Sequence, residues 1–380
     1  MIDERRLVAL AQTLVRFPSP QTGRMEAEPQ VQALIGECVA PLLGEMGLAT
    51  RRDAMGNLIA EAGSPGADRA LLLMMYAMTH PQSRMSDPWG GTLIDTPEGP
   101  ALRGRGVSEQ KAPLAAALIA LQSVLGSGRL SASHLVFVLS SAGETGRHDA
   151  AIAALSTLSR IPAMGIVGLG TNNRVSLGNK GRVDVDVIVR GKATHSSTPW
   201  DGIDAIEGAR LVLGKLKEIK LPDREHPGLG RVTLTPTRLS SGPNATHTVQ
   251  DSVVITLDRR LLPGEDPEAA LAQIAECAQL PAPWQVETRK GPFMYPCEIA
   301  ADGALLAAIR TGHARAGLPL PATFYSHGSL DAGYLVKQGC ETVMWGPGRM
   351  EQFHSDEEFV LVSELVQGAV AYEGFLEATL

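Results

Sequence analysis

A chain of 380 residues, 44% hydrophobic and 20% charged, is too long for one ordinary core and has the composition of a folded globular protein. Its net charge of −7 gives no electrostatic reason to bind nucleic acid or an anionic membrane. The longest apolar run, Ala70–Met78, is too short to span a bilayer.

Asp3–Val15 carries apolar residues at helical spacing, and Pro18 and Pro20 end it. Its charged start, MIDERRLVAL, lacks the apolar centre of a secretion signal. Glu26–Met46 repeats the helical pattern, with Gly47 as its C-cap. Short strands are expected at Leu58–Ala60 and Leu71–Met75, punctuated by Asn57 and the cluster Gly63-Ser64-Pro65-Gly66. Ser108–Leu125 reads as a helix, His134–Ser140 as a buried strand and His148–Leu155 as a helix. This alternation predicts an α/β fold, a three-layer sandwich with a largely parallel mixed sheet.

The pattern changes near Gly181. Val183–Val189 alternates strictly, as a half-exposed strand should. A helix at Ala205–Ile219, strands at Arg231–Thr237 and Val253–Leu257, a helix at Pro267–Gln279 and a strand at Trp284–Thr288 complete a β-α-β-β-α-β unit of ferredoxin-like type. Helices at Gly303–Ala316 and Val360–Leu380 flank a last strand at Thr342–Trp345. The expected organisation is one α/β domain, residues 1–180 plus 291–380, interrupted by an inserted α+β domain over 181–290. Cys38, Cys277, Cys297 and Cys340 show no C-x-x-C spacing, so neither a disulfide framework nor a thiolate zinc site is expected, and a reducing cytoplasm is the expected location.

Five motifs recur in a telling order: Gly104-Arg105-Gly106-x-x-Glu109-x-Lys111, Gly191-Lys192-Ala193-Thr194-His195-Ser196, Leu257-Asp258-Arg259-Arg260, Gly328-Ser329-Leu330-Asp331-Ala332, and Gly346-Pro347-Gly348 ahead of His354. In that order, with the domain change in that place, the chain resembles the di-zinc family of acetylornithine deacetylase, succinyl-diaminopimelate desuccinylase, aminoacylase and glutamate carboxypeptidase. The resemblance covers nearly the whole length and implies a hydrolase of C–N bonds with two metals about 3.5 Å apart.

Residue by residue, the resemblance implies a damaged site. The bridging acid position holds Glu109. The private ligands of one metal fall on Tyr76 and Leu169, and leucine has no donor. The private ligands of the other fall on Glu144 and His354, so Glu109, Glu144 and His354 form a complete three-ligand shell. Two carboxylates and an imidazole suit Zn, Mn or Fe, and three protein ligands leave an open position. The expected cofactor is therefore one divalent ion, zinc or manganese, with the Tyr76 phenol as a candidate fourth donor. The family's general base falls on Gly143, and the acid that orients the lost histidine falls on Met78. His80, His148 and His327 are the replacement bases the sequence offers, His327 first because it adjoins the Gly328 motif.

The substrate side is better kept. The resemblance makes His195 the histidine that reaches a neighbouring subunit's site and polarises the scissile carbonyl, and Arg260 the grip on a substrate carboxylate, or else an ordinary strand-end salt bridge. Gly328, Ser329 and Asp331 would wall the cleft, and His247 stands where the family has an asparagine. The implied partners are a small carboxylated amide or amine and a second copy of the chain, with no nucleic acid and no membrane. Three readings stay open: a single-metal hydrolase, a non-catalytic descendant that binds a carboxylated ligand or a partner, and an ordinary di-zinc peptidase, which requires that Tyr76 and Leu169 not be the residues at the ligand positions.

Overall fold

The computed structural model describes residues 2–126, 133–143 and 145–380, which divide into two compact units. The first unit comprises 1–178, 298–325 and 334–380, and the second 179–297 with 326–333. The first is an α/β sandwich, and the second carries the inserted α+β domain.

The first unit is built on a six-stranded sheet. Ser133–Ser140, Arg69–Tyr76, Met164–Gly168 and Glu341–Trp345 run parallel, in that spatial order. Thr50–Arg52 and Leu58–Gly63 extend the sheet antiparallel beside Ser133–Ser140. Arg69–Tyr76 has seven buried residues in a row rather than an alternating pattern, because helices cover both faces of a parallel sheet. The helix Ala112–Gly126 is apolar almost all round and is buried between its neighbours, packing on Val362–Thr379. Each fully buried Leu, Ile or Phe here contributes about 1.5–3 kcal/mol.

The helix expected over Glu26–Met46 is interrupted: a π-turn at Leu34–Val39 separates Pro29–Ala33 from Ala40–Glu45. A small antiparallel sheet of Thr92–Thr96, Gly99–Arg103 and Phe359–Leu361 was not foreseen. It takes the first two residues, Val360 and Leu361, of what reads as the C-terminal helix, so that helix begins at Val362.

The second unit is a four-stranded antiparallel sheet with two helices on one face. In spatial order its strands are Thr233–Gly242, Ser252–Leu261, Gly181–Arg190 and Gln285–Met294. By chain order that is second, third, first, fourth, the ferredoxin-like arrangement. Val183, Val185, Val187, Val189, Val253, Ile255 and Leu257 form its core with Ala209, Val212 and Ile274 of the helices. Pairing of Phe293 and Met294 with Val183 and Arg182 carries this unit past the boundary expected at 290. The turn Ser326–Gly333, expected in the first domain, joins the second unit: Lys180 N–H donates to Ser326 O at 3.1 Å, and Ser329 Oγ donates to Lys180 O at 2.6 Å.

Candidate active site

In the first unit the chemistry-bearing residues gather where the parallel strands end. Tyr76, Ser140, Gly168 and Trp345 are the last residues of their strands. The crevice outside such ends is the usual ligand position in α/β sheets.

Glu109 arrives there through local sequence chemistry. Gly106 adopts φ +75, a left-handed turn that favours glycine, and starts the helix. Val107–Lys111 then makes one π-turn, with Lys111 N–H reaching back five residues to Gly106 O at 2.8 Å. Pro113 has no N–H to give to the Glu109 carbonyl, which accepts instead from Gly170 N–H at 2.9 Å. That bond ties the turn to the loop after strand Met164–Gly168. Gly348, at φ +103, backs onto Ser108, where any Cβ would collide with the Ser108 carbonyl.

The turn is held by a residue that motif reading passed over. Glu358 is 1% exposed. Its Oε2 accepts from Gly106 N–H at 2.8 Å and Arg105 Nη1 at 3.1 Å, and its Oε1 from Ser108 N–H at 2.9 Å and Glu109 N–H at 3.3 Å. A carboxylate at a helix start satisfies orphan amides and favours the dipole. Burial pushes the Glu358 carboxyl up, against the amides and Arg105 that pull it down. The sequence does signal it, as the last of three acids after His354. Lys111 is buried too: burial pushes its ammonium down to about 7, and it donates to Phe17 O at 2.8 Å, which anchors the first helix.

His354 closes the site. It holds a left-handed backbone, φ +61, a conformation that costs a non-glycine residue about 1–3 kcal/mol and collects at functional positions. Its Nε2 stands 3.4 Å from Glu109 Oε2. His80 stacks on its ring with centroids 4.0 Å apart, and His80 Nδ1 lies 3.0 Å from Pro81 O. Two of the expected metal ligands are thus together, and one of the three candidate bases has joined them. His148 is buried elsewhere in the unit, stacked on Tyr334 at 5.4 Å. His327 is an exposed residue of the second unit. Glu144, the third expected ligand, lies outside the described residues. Among the described residues no group of three His, Cys, Asp or Glu is arranged to hold a metal.

Glu109 and His354 stand at the spacing of two donors to one ion, and the positions that the resemblance gives to a second ion do not suit one. Donors 2.0–2.1 Å from a tetrahedral ion are about 3.4 Å apart, the Glu109–His354 separation. For a second ion Leu169 offers only a buried aliphatic side chain, and Tyr76 is a buried phenol where the resemblance expects a histidine. Gly143, to which the resemblance assigns the general base, has no room for a side chain: a Cβ there would lie 2.7 Å from the Met78 carbonyl oxygen.

In the second unit the expected residues fall into two groups. His195 and His247 are neighbours, ring centroids 5.8 Å apart, joined by Ser196 N–H to His247 O at 2.9 Å. Ser197 N–H points at His195 Nδ1 at 3.2 Å, so a neutral His195 carries its proton on Nε2. Arg260 lies at the far end of strand Ser252–Leu261, near Lys180 and the Gly328-Ser329 turn. Its fork grips Asp258 through Nε at 2.8 Å and Nη2 at 2.9 Å. The Nη1–Nη2 edge remains for a second carboxylate. Asp331 is buried in the turn.

Comparison with known proteins agrees with this architecture. Residues 177–286 match the model of the peptidase dimerisation domain. A probable carboxypeptidase of Aspergillus niger is 26% identical over 290 residues, 73% of this chain and 66% of that protein. An acetylornithine deacetylase of Myxococcus xanthus is 27% identical over 322 residues, 82% of this chain and 80% of that one. The matched stretch spans 66%, 63% and 54% of the first three curated relatives. An M20 family metallo-carboxypeptidase from Sulfolobus solfataricus superposes with TM-score 0.78 at 16% identity, over 100% of this chain and 99% of that one. The fold is that of a metallopeptidase-type α/β protein with an inserted dimerisation domain. The chain is similar to M20 peptidases, the family its motifs resemble.

Proposed function

We propose that this chain is a single-metal hydrolase of C–N bonds in small carboxylated amides or amines, working as a homodimer. The observation that carries the proposal is the Glu109–His354 pair, at ligand-to-ligand spacing beside the ends of the parallel strands. The relatives' names, an acetylornithine deacetylase and a carboxypeptidase, suggest amides of amino acids.

Glu109 and His354 would hold one zinc or manganese ion, with Glu144 as third ligand by sequence. A divalent ion there supplies the Lewis acidity that makes water a nucleophile near neutral pH. His80, which stacks on His354, would take up the proton that water sheds. His195 Nε2–H donates to the scissile carbonyl oxygen, and the free edge of Arg260 meets the substrate carboxylate. Within one chain, Arg260 and the start of its strand are roughly 27 Å apart at about 3.4 Å per residue. The His195–His247 pair lies at that start. One small substrate can meet both groups only if two copies contribute them, which supports the dimer reading and gives residues 181–290 the role of lid and dimerisation domain.

The experiment is hydrolysis of N-acyl amino acids with added Zn2+ or Mn2+. Turnover is expected in wild type and absent in Glu109→Gln and His354→Ala. Turnover that survives both substitutions contradicts the proposal. The closed Gly143 position favours a second reading, a ligand-binding protein without turnover. That reading gains if carboxylates bind, if binding needs Arg260, and if no substrate is cleaved.

A further inference from the structure

We propose that Glu358 is the positioning residue of this site, acting through Glu109 and His354 rather than on the substrate; the inference rests on the single-metal reading above. Three loops supply the cluster: the one after strand Arg69–Tyr76 carries His80, the π-turn carries Glu109, and the turn after Met350–Gln352 carries His354. None of these loops is held by the main sheet alone.

The Glu358–Arg105 pair ties all three. Glu358 collects the amides of Gly106, Ser108 and Glu109. Arg105 spends its guanidinium on Glu358, on Ser355 O at 2.9 Å and on Gln82 O at 3.0 Å. Ser355 adjoins His354, and Gln82 is two residues from His80. The small sheet enforces this geometry. Phe359 pairs with Arg103, which lays Glu358 alongside Gly104, whose N–H donates to Glu358 O at 3.2 Å. Glu358 is therefore both four residues from one ligand and hydrogen-bonded to the backbone of the other. Its carboxylate sets the separation of the pair.

The chemistry requires a carboxylate. Four donors meet two oxygens, and glutamine would turn an N–H2 group toward one pair of donors. Loss of an outer partner that orients a ligand typically weakens metal binding about 10–100-fold.

The test is Mn2+ titration of the purified full chain, read by the EPR signal of free Mn2+, with a thermal melt on each sample. Glu358→Gln is expected to weaken Mn2+ binding about 10–100-fold. Because a lone Glu358 substitution leaves the buried Arg105 charge with only the more distant Asp356 carboxylate, at 3.7 Å, the double variant Arg105→Met/Glu358→Met is measured beside it. It is expected to regain much of the lost melting temperature without regaining affinity, a split that a purely structural role would not produce. Wild-type affinity in either folded variant overturns the inference and leaves the metal reading intact. A wild type that takes up neither Mn2+ nor Zn2+ overturns both.

Discussion

Single residues decide what chemistry this site retains. By the resemblance Leu169 stands where a metal donor is expected, and leucine offers none. Gly143 is different. The resemblance assigns the family's general base to Gly143, but it does not reveal that the Met78 carbonyl occupies the direction a side chain would take, with 2.7 Å left to a Cβ. Met78 and Gly143 are 65 positions apart, and only the register of Arg69–Tyr76 against Ser133–Ser140 brings their loops together. Restoring the acid should therefore not restore a base. Gly143→Glu is expected to destabilise the fold by about 1–3 kcal/mol through overpacking and to leave turnover no higher. Thermal melts and initial rates measure both. A stable variant with a rate raised by about 10²-fold or more, the usual worth of a general base, contradicts this account. His80 shows the converse. Its side chain was one of three candidate bases, and only the fold brings it onto His354.

Elements carry the argument further. Long buried helices and strands were readable because their periodicity is strong: Ala112–Gly126, Arg69–Tyr76 and Ser133–Ser140 lie within a few residues of expectation. Thr92–Thr96 and Gly99–Arg103 were not, because both are short and lack alternation, and the first is largely exposed. That small sheet matters most for the site, since it registers Glu358 beside Gly104. The loops at the strand ends also pack backbone on backbone. At Gly348, φ +103 and the nearby Ser108 carbonyl both exclude a side chain. Gly348→Ala is expected to lower the melting temperature and weaken metal uptake together, because Ser108 and Glu109 share one turn. Normal stability with normal uptake would show that the three loops do not act as a unit.

At the scale of the whole molecule, the order of the five motifs and the break in pattern near Gly181 made both units legible. The inner boundary was less so: the fourth strand of the inserted domain runs on to Met294, and the turn Ser326–Gly333 returns to that unit through Ser329 and Lys180. Those bonds join residues nearly 150 positions apart, beyond the reach of local pattern. Among the described residues, no helix is long and apolar enough to cross a membrane. Assembly and metal content are two faces of the proposed function, which has the His195 and Arg260 ends of the inserted domain serve one substrate across two chains, each with one ion at Glu109 and His354. Native mass spectrometry of the zinc- or manganese-loaded protein reads both at once. The account predicts a dimer carrying one ion per chain, with the ions lost in His354→Ala; two ions per chain, none, or a monomer would contradict it.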